Sequence, residues 1–296
     1  MLNAFYIALG LAFLTIGGEA LIRGSMAAAR RLNVSPLLSG LIIVGFGTST
    51  PELVVSLEAA ISQRPDLAVG NVVGSNIGNI LLILGTCAVI TPMAVRPLAL
   101  RRDAITLVAS SILFVILATG DKIGTSDAAI FLSAFFAYLI WAYWSERDSA
   151  LPSAEMHAAE ADELELLPKS VAWIVAAVLL GLLLLIAGSR ILLSGAVGIA
   201  QNLGVSEALI GLTVVAVGTS LPEFAVSLMA AIRKHADVAV GNVLGSNIFN
   251  LLGILGVSAL LQPLPLHPRV LQFDQWVMLG ASLLLLLFLY TGRRLS

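Results

Sequence analysis

Two stretches of this chain, GTSTPELVVSLEAAI at 47–61 and GTSLPEFAVSLMAAI at 218–232, are near copies 171 residues apart. A second pair repeats at the same offset: DLAVGNVVGSNIGNILLILG at 66–85 and DVAVGNVLGSNIFNLLGILG at 237–256. Between 17–85 and 188–256, 37 of 69 positions are identical without a gap. Polar positions match best, so shared hydrophobicity does not explain the likeness. Such a chain must fold as two related halves, and the remaining question is how the halves are oriented.

The surrounding sequence answers it. Of the 296 residues, 58% are hydrophobic and 11% charged, against roughly 25% charged in soluble domains. This composition reads as a polytopic membrane protein embedded in a lipid bilayer. No basic stripe is present for nucleic acid. A hydrocarbon core of about 30 Å needs about 20 apolar residues per helix. Nine candidate spans follow: 3–22, 37–62, 67–92, 103–120, 126–144, 170–188, 207–232, 238–262 and 273–291. The N-terminus lacks a basic leader and a cleavage site, and reads as a retained first helix. The organisation expected is a first repeat at 1–144, an acidic linker at 145–169 and a second repeat at 170–296.

Each motif's copy lies five spans further along the chain, and five is odd, so the copies cross the membrane in opposite directions. Lys and Arg positions give the absolute sense. With the N-terminus outside, Arg23, Arg30, Arg31, Arg96, Arg101, Arg102, Arg147, Lys169, Arg233, Lys234, Arg293 and Arg294 are cytoplasmic. Arg64, Lys122, Arg190 and Arg269 are then outside, and the acidic 145–169 loop is cytoplasmic. A multi-pass cell (inner) membrane location is expected. Inverted repeats with interrupted helices in both halves point to a secondary transporter with its site at the repeat interface.

Each copy reads G-T-S-x-P-E. Proline removes a backbone donor and frees a carbonyl one turn earlier, expected near Val44 and Gly47, and near Val215 and Gly218. Thr48, Ser49, Thr219 and Ser220 add hydroxyls, while Glu52 and Glu223 add charge. The second motif contributes Ser75, Asn76 and Asn79, then Ser246, Asn247 and Asn250. Asn71 and Asn242 lie two turns before Asn79 and Asn250, on the same face.

This donor set is almost all oxygen, with no repeated His, Cys or Met. It disfavours Cu(I) and Zn and suits Ca2+ and Na+. Two carboxylates at low dielectric cannot both stay ionised without a cation. One Ca2+ or two Na+ would neutralise them, and competition for one anionic site is the physical basis of exchange. No cofactor and no enzymatic role are implied; the ions are cargo. A carboxylate could also exchange a proton for Ca2+, which leaves H+/Ca2+ antiport as the alternative. A channel would more usually be built by symmetry along the membrane normal.

Other features have simpler readings. Intramembrane acids are functional by default, which favours Glu52 and Glu223 as site residues over structural carboxylates. Glu58, whose partner is Met229, reads as peripheral. Asp66 and Asp237 read as helix N-caps. Glu19 and Glu207 are expected near span ends. Gly24, Gly40, Gly195 and Gly211 read as close-packing positions. Trp141, Tyr143 and Trp144 fit an interfacial belt.

At the GTSxPE and GSNIxN motifs the chain resembles the sodium/calcium exchanger family, within the cation/calcium antiporter superfamily, in its short prokaryotic form. The likeness covers both halves. The resemblance implies five plus five helices, of which the second, third, seventh and eighth surround the site. It implies that long first and sixth helices slide across that core, and that exchange of Na+ for Ca2+ is electrogenic. By position, Glu52 and Glu223 look like the central Ca2+ ligands. Thr48, Ser49, Ser75, Thr219, Ser220 and Ser246 look like flanking Na+ ligands, and Asn79 and Asn250 like the middle pair. The position of Asn250 is Asp in K+-dependent members, so Asn here argues against K+ dependence. The family's tenth helix has no counterpart before the chain ends at TGRRLS.

Overall fold

In the bilayer core no water reaches the backbone, so each crossing segment must satisfy its own amides as a helix. The computed structural model describes residues 2–32, 34–91, 93–94, 97–148, 170–204, 207–291 and 294–295. Among these residues there are nine membrane-length segments. The first five are α1 (Leu2–Leu32), α2 (Leu37–Thr48 and Thr50–Ile61), α3 (Pro65–Ile90), α4 (Pro97–Ala118) and α5 (Thr125–Asp148). The other four are α6 (Val171–Asn202), α7 (Glu207–Ile232), α8 (Ala236–Leu261) and α9 (Val270–Tyr290). Six are individually long and apolar enough to cross a bilayer, and the two pieces of α2 make a seventh. The fold is all-α and polytopic. The acidic stretch 149–169, with His157, lies outside the described residues.

Two helices are longer than the hydropathy pattern implies. α1 has 31 residues and α6 has 32, about 46–48 Å at 1.5 Å per residue. The apolar pattern ends at 22 and 188 because Arg23 and Arg190 follow. A single charge ends a hydrophobic run but not a backbone hydrogen-bond ladder, and Ala27–Ala29 favour helix beyond it. Glu19 and Arg190 therefore lie well inside long helices rather than near span ends.

α1 and α6 pack against each other through glycines spaced seven apart. A Cβ on Gly17 would lie 2.8 Å from the Gly181 carbonyl oxygen, and one on Gly181 would lie 2.8 Å from that of Gly17. Gly10 meets Gly188 in the same way, at 2.8 Å and 3.0 Å. Gly24 meets Val178, and Gly195 meets Ile7. Between membrane helices, close approach of small residues replaces the hydrophobic driving force. These contacts run antiparallel. Since α6 is the copy of α1, antiparallel packing of the two is itself the inversion of the repeats.

Contacts between residues 171 apart mark the pseudo-two-fold axis. Asn76 Nδ2 donates to the Asn247 carbonyl at 3.0 Å, and Asn247 Nδ2 donates back to the Asn76 carbonyl at 3.2 Å. Ser111 and Ser282 meet hydroxyl to hydroxyl at 3.1 Å, joining α4 to α9. Two clasps of two residues each tie turns together: β1 (Met93–Ala94) with β4 (Arg294–Leu295), and β2 (Lys122–Ile123) with β3 (Leu264–Pro265).

α8 is the central helix, with 83% of its most apolar window buried against 22% in α6. It receives the first half of α2 almost backbone to backbone. A Cβ on Gly45 would lie 2.9 Å from Ser246 N, and one on Gly40 would lie 3.1 Å from Val238 Cα. Gly211 lies outside the residues whose packing is described. On the outer surface Leu180, Leu183, Leu287 and Phe288 are exposed, as lipid contact requires. Trp141 and Trp144 are exposed at the end of α5.

Two further expectations are corrected. Interruption in both halves holds only for the first, where α2 bends by 44° at Ser49. α7 runs as one helix through Pro222. The bend in α2 follows from wedging its first half against α8, while Pro51 opens the second. Asp66 and Asp237 are not N-caps: Arg64 and His235 hold those positions, and both acids sit in the first turn. There they still complement the helix dipole.

Candidate functional site

The local backbone around the repeated motifs is irregular in a patterned way. Wide π-type turns occupy Gly40–Gly45, Asn79–Leu84 and Phe249–Ile254. Such turns insert an extra residue and rotate the following side chains. Asn79 opens one of them and Asn250 lies in another.

Glu52 and Glu223 are both completely buried. Each takes a hydroxyl from the opposite repeat. Ser49 Oγ donates to Glu223 Oε1 at 2.9 Å, and Ser220 Oγ donates to Glu52 Oε1 at 3.2 Å. The structure thus brings together two acids that are 171 positions apart in sequence.

The asparagines cross the same boundary. Asn79 Nδ2 donates to Asn247 Oδ1 at 2.9 Å, and Asn250 Nδ2 donates to Asn76 Oδ1 at 3.1 Å and Ser75 Oγ at 3.2 Å. The oxygens that remain matter most. Glu52 Oε2, Glu223 Oε2, Asn79 Oδ1 and Asn250 Oδ1 are buried and take no hydrogen bond from the protein. Four acceptors without donors in a low-dielectric interior carry a large desolvation cost unless a positive group joins them.

Of the remaining predicted residues, Thr48 Oγ1 donates to Asn242 Oδ1 at 3.0 Å and Thr219 Oγ1 to Asn71 Oδ1 at 3.5 Å. Ser75 donates to the Val72 carbonyl and Ser246 to that of Gly45, at 3.1 Å and 3.0 Å. All ten residues singled out in sequence gather around the interface between α2–α3 and α7–α8. The carbonyl that gathers donors is Gly45's, which also accepts from Ser49 N at 3.2 Å. Among the described residues no three His, Cys, Asp or Glu cluster together. Any cation here would be held by two carboxylates and neutral oxygens.

The two sides of this site differ. A cavity of about 310 Å³ reaches it from one side, lined by Pro51, Val55, Leu67, Ser189, Arg190 and Thr219 among others. It separates α6 from the second half of α2. The repeat-equivalent gap on the other side is filled. A Cβ on Gly18 of α1 would lie 2.8 Å from Met229 Sδ and 3.9 Å from Val226. Glu19 Oε2 pairs there with Arg233 at 2.9 Å, while Glu19 Oε1 holds Arg23 at 2.6 Å. On one side α1 is therefore packed on α7, while on the other a cavity between α6 and α2 comes as near as Thr219, with Glu52 and Glu223 still buried behind it.

Sequence reasoning missed Glu19 and Arg233 because their contact crosses from α1 to α7. It counted Asn76 and Asn247 among the oxygen donors and put Asn71 and Asn242 on the same face, but placed none of the four in the ligand set.

An inverted repeat wrapped around paired buried carboxylates defines the class, a membrane transporter. A family model described as sodium/calcium exchanger protein matches residues 2–144 and 173–296. The sodium/calcium exchanger MaX1 of Methanosarcina acetivorans is 32% identical, covering 98% of this chain and 92% of that protein. The inner membrane protein YrbG of Escherichia coli is 33% identical, covering 96% and 87%. A structure of the sodium-calcium exchanger NCX_Mj superposes with a TM-score of 0.84 at 33% identity, over 100% of this chain and 92% of that one. The chain belongs to the sodium/calcium exchanger protein family.

Proposed function

We propose that this protein exchanges Na+ for Ca2+ by alternating access, with both ions competing for one buried site on Glu52 and Glu223. The observation that carries this is the set of four buried acceptor oxygens without protein donors, two carboxylate and two amide. Hard oxygen donors of this kind suit Ca2+ and Na+. Thr48, Ser49, Ser75, Thr219, Ser220 and Ser246 would complete the coordination from both repeats, with Asn79 and Asn250 in the middle. Because the two acids cannot serve Ca2+ and a full Na+ load together, filling by one ion expels the other.

The Lys and Arg bias supports an N-terminus outside, the 145–169 loop in the cytoplasm, and residence in a cell (inner) membrane. In that orientation the open cavity faces outward and the Glu19–Arg233 closure faces the cytoplasm.

The test is flux of radiolabelled Ca2+ into proteoliposomes with Na+, K+ and H+ gradients imposed separately. Only the Na+ gradient should drive uptake. Uptake driven by a pH gradient without Na+ would select H+/Ca2+ antiport instead.

The closure makes a smaller prediction. Arg233 and Glu19 are partly exposed, and such pairs are worth about 0–1 kcal/mol. Arg233→Gln should therefore shift the ratio of apparent Ca2+ affinities at the two faces by roughly two- to fivefold, read in sided vesicles, with the cytoplasmic face gaining. An unchanged ratio would exclude the pair as a closure.

A further inference from the structure

Asn242 is fully buried beside the site and touches three groups. Its Nδ2 donates to the main-chain carbonyl of Glu223 at 3.2 Å and to Ser227 Oγ at 2.8 Å. Its Oδ1 accepts from Thr48 Oγ1 at 3.0 Å. Across the pseudo-two-fold, Asn71 Nδ2 donates to the Glu52 carbonyl at 3.2 Å and to Ser56 Oγ at 3.0 Å. Its Oδ1 accepts from Thr219 Oγ1 at 3.5 Å. The looser contact is on the side of the cavity.

The direction of these bonds is forced. A main-chain carbonyl can only accept, so it holds the NH2 end of each amide against the glutamate-bearing helix. Flipping the amide would set oxygen against oxygen. Oδ1 is thereby aimed at the threonine, and since Oδ1 can only accept, the threonine must donate. A hydroxyl has one hydrogen and two lone pairs. A cation can be bound only by the lone pairs.

We propose that Asn242 and Asn71 are positioning residues, which take the hydroxyl hydrogens of Thr48 and Thr219 and so turn those oxygens toward the transported cation. The proposal rests on the reading of Glu52 and Glu223 as the cation site. Thr48 also lies beside the Glu223 carboxylate, and Thr219 beside the Glu52 carboxylate. Without Asn242, the Thr48 hydrogen is divided between the Gly45 carbonyl, 3.3 Å from Oγ1, and that carboxylate, and in the second position it sits where the cation must bind. Each asparagine thus keeps a carboxylate and a hydroxyl both available as acceptors. Each also joins the two repeats, because the threonine belongs to one half and the asparagine to the other.

The test is a double-mutant cycle on Asn242 and Thr48, read as KM and Vmax for Na+-driven Ca2+ uptake in proteoliposomes. Partners that orient a metal ligand typically contribute about 10- to 100-fold in affinity. Asn242→Leu should raise KM for Ca2+ about tenfold, with Vmax within about threefold of the parent. On a Thr48→Val background the same change should alter KM less than about twofold. Ser227→Ala, a milder change that frees the amide to rotate, should raise KM about two- to threefold and lose that effect without Thr48.

Equal effects of either substitution with and without Thr48, or a fall in Vmax alone, would overturn the proposal. So would a Thr48→Val variant with unchanged KM. Equilibrium binding of radiolabelled Ca2+ to the purified protein repeats the cycle without transport. Thr48-dependent binding in a protein that does not exchange would refute the antiport reading and sustain the positioning role. Absence of Ca2+ binding would refute both.

Discussion

Glu223→Gln, which keeps the shape of the side chain and removes its charge, should lower Na+-driven Ca2+ uptake at least about 100-fold. A unit charge pair about 4 Å apart at an effective dielectric of about 20 interacts by about 4 kcal/mol, or nearly three decades in affinity. Direct ligation of a divalent ion is closer and doubly charged, so 100-fold is a lower bound. The buried Glu52 would remain, with Ser220 still donating to it, but one carboxylate cannot neutralise Ca2+. Glu52→Gln should behave alike, because the two acids occupy repeat-equivalent positions. Initial uptake rates in proteoliposomes at matched protein density measure this. Uptake within tenfold of the parent in either folded variant would remove that acid from the site.

The second large effect is expected far from any charge. Gly245→Ala adds one methyl group facing Leu41 of α2, with the new Cβ only 2.8 Å from that residue's carbonyl carbon and Cα. These are backbone atoms of a packed helix, so no rotamer change relieves the overlap. Overpacking of this kind costs about 1–3 kcal/mol, which in a chain of this size lowers Tm by several degrees. The larger consequence is functional. The first half of α2 must move off α8, carrying Thr48, Ser49 and the Gly45 carbonyl away from Asn242, Glu223 and Ser246. A displacement of about 1 Å at a reacting site can cost about 100-fold, and a comparable loss of exchange is expected here. Gly280→Ala is the control: it lies exposed on α9, no described atom lies within 4 Å of its new Cβ, and both Tm and transport should hold. If Gly245→Ala transported normally, the close packing of α2 on α8 would not set the site.

The positioning role of Asn242 and Asn71 adds to this picture. It explains why the repeats share polar residues beyond those with free acceptor oxygens. In the proposed site Glu52 and Glu223 would supply charge, the crossed serines would steady them, and the asparagines would set which end of each threonine hydroxyl faces the cation.

Much of this was legible in the sequence because an inverted repeat leaves two copies to compare. The offset of 171 residues, which is an odd offset of five spans, implied opposed halves. The ten polar residues of the paired motifs were identifiable because each acid, hydroxyl and amide recurs where hydrocarbon would exclude it. Helix ends were less legible: Arg23 and Arg190 cut short the apolar runs of α1 and α6, although the backbone ladder continues past them. Near-symmetric sequences also could not reveal how the halves differ. That α2 bends while α7 runs straight, that a cavity lies between α6 and α2, and that Glu19 meets Arg233 on the other side depend on contacts among distant segments. Local sequence determined which groups a membrane interior must neutralise, because burying charge and unpaired oxygen is costly wherever it occurs. Only tertiary packing decided on which side of those groups a cavity lies, because two arrangements of the same repeat differ in which helix surfaces touch.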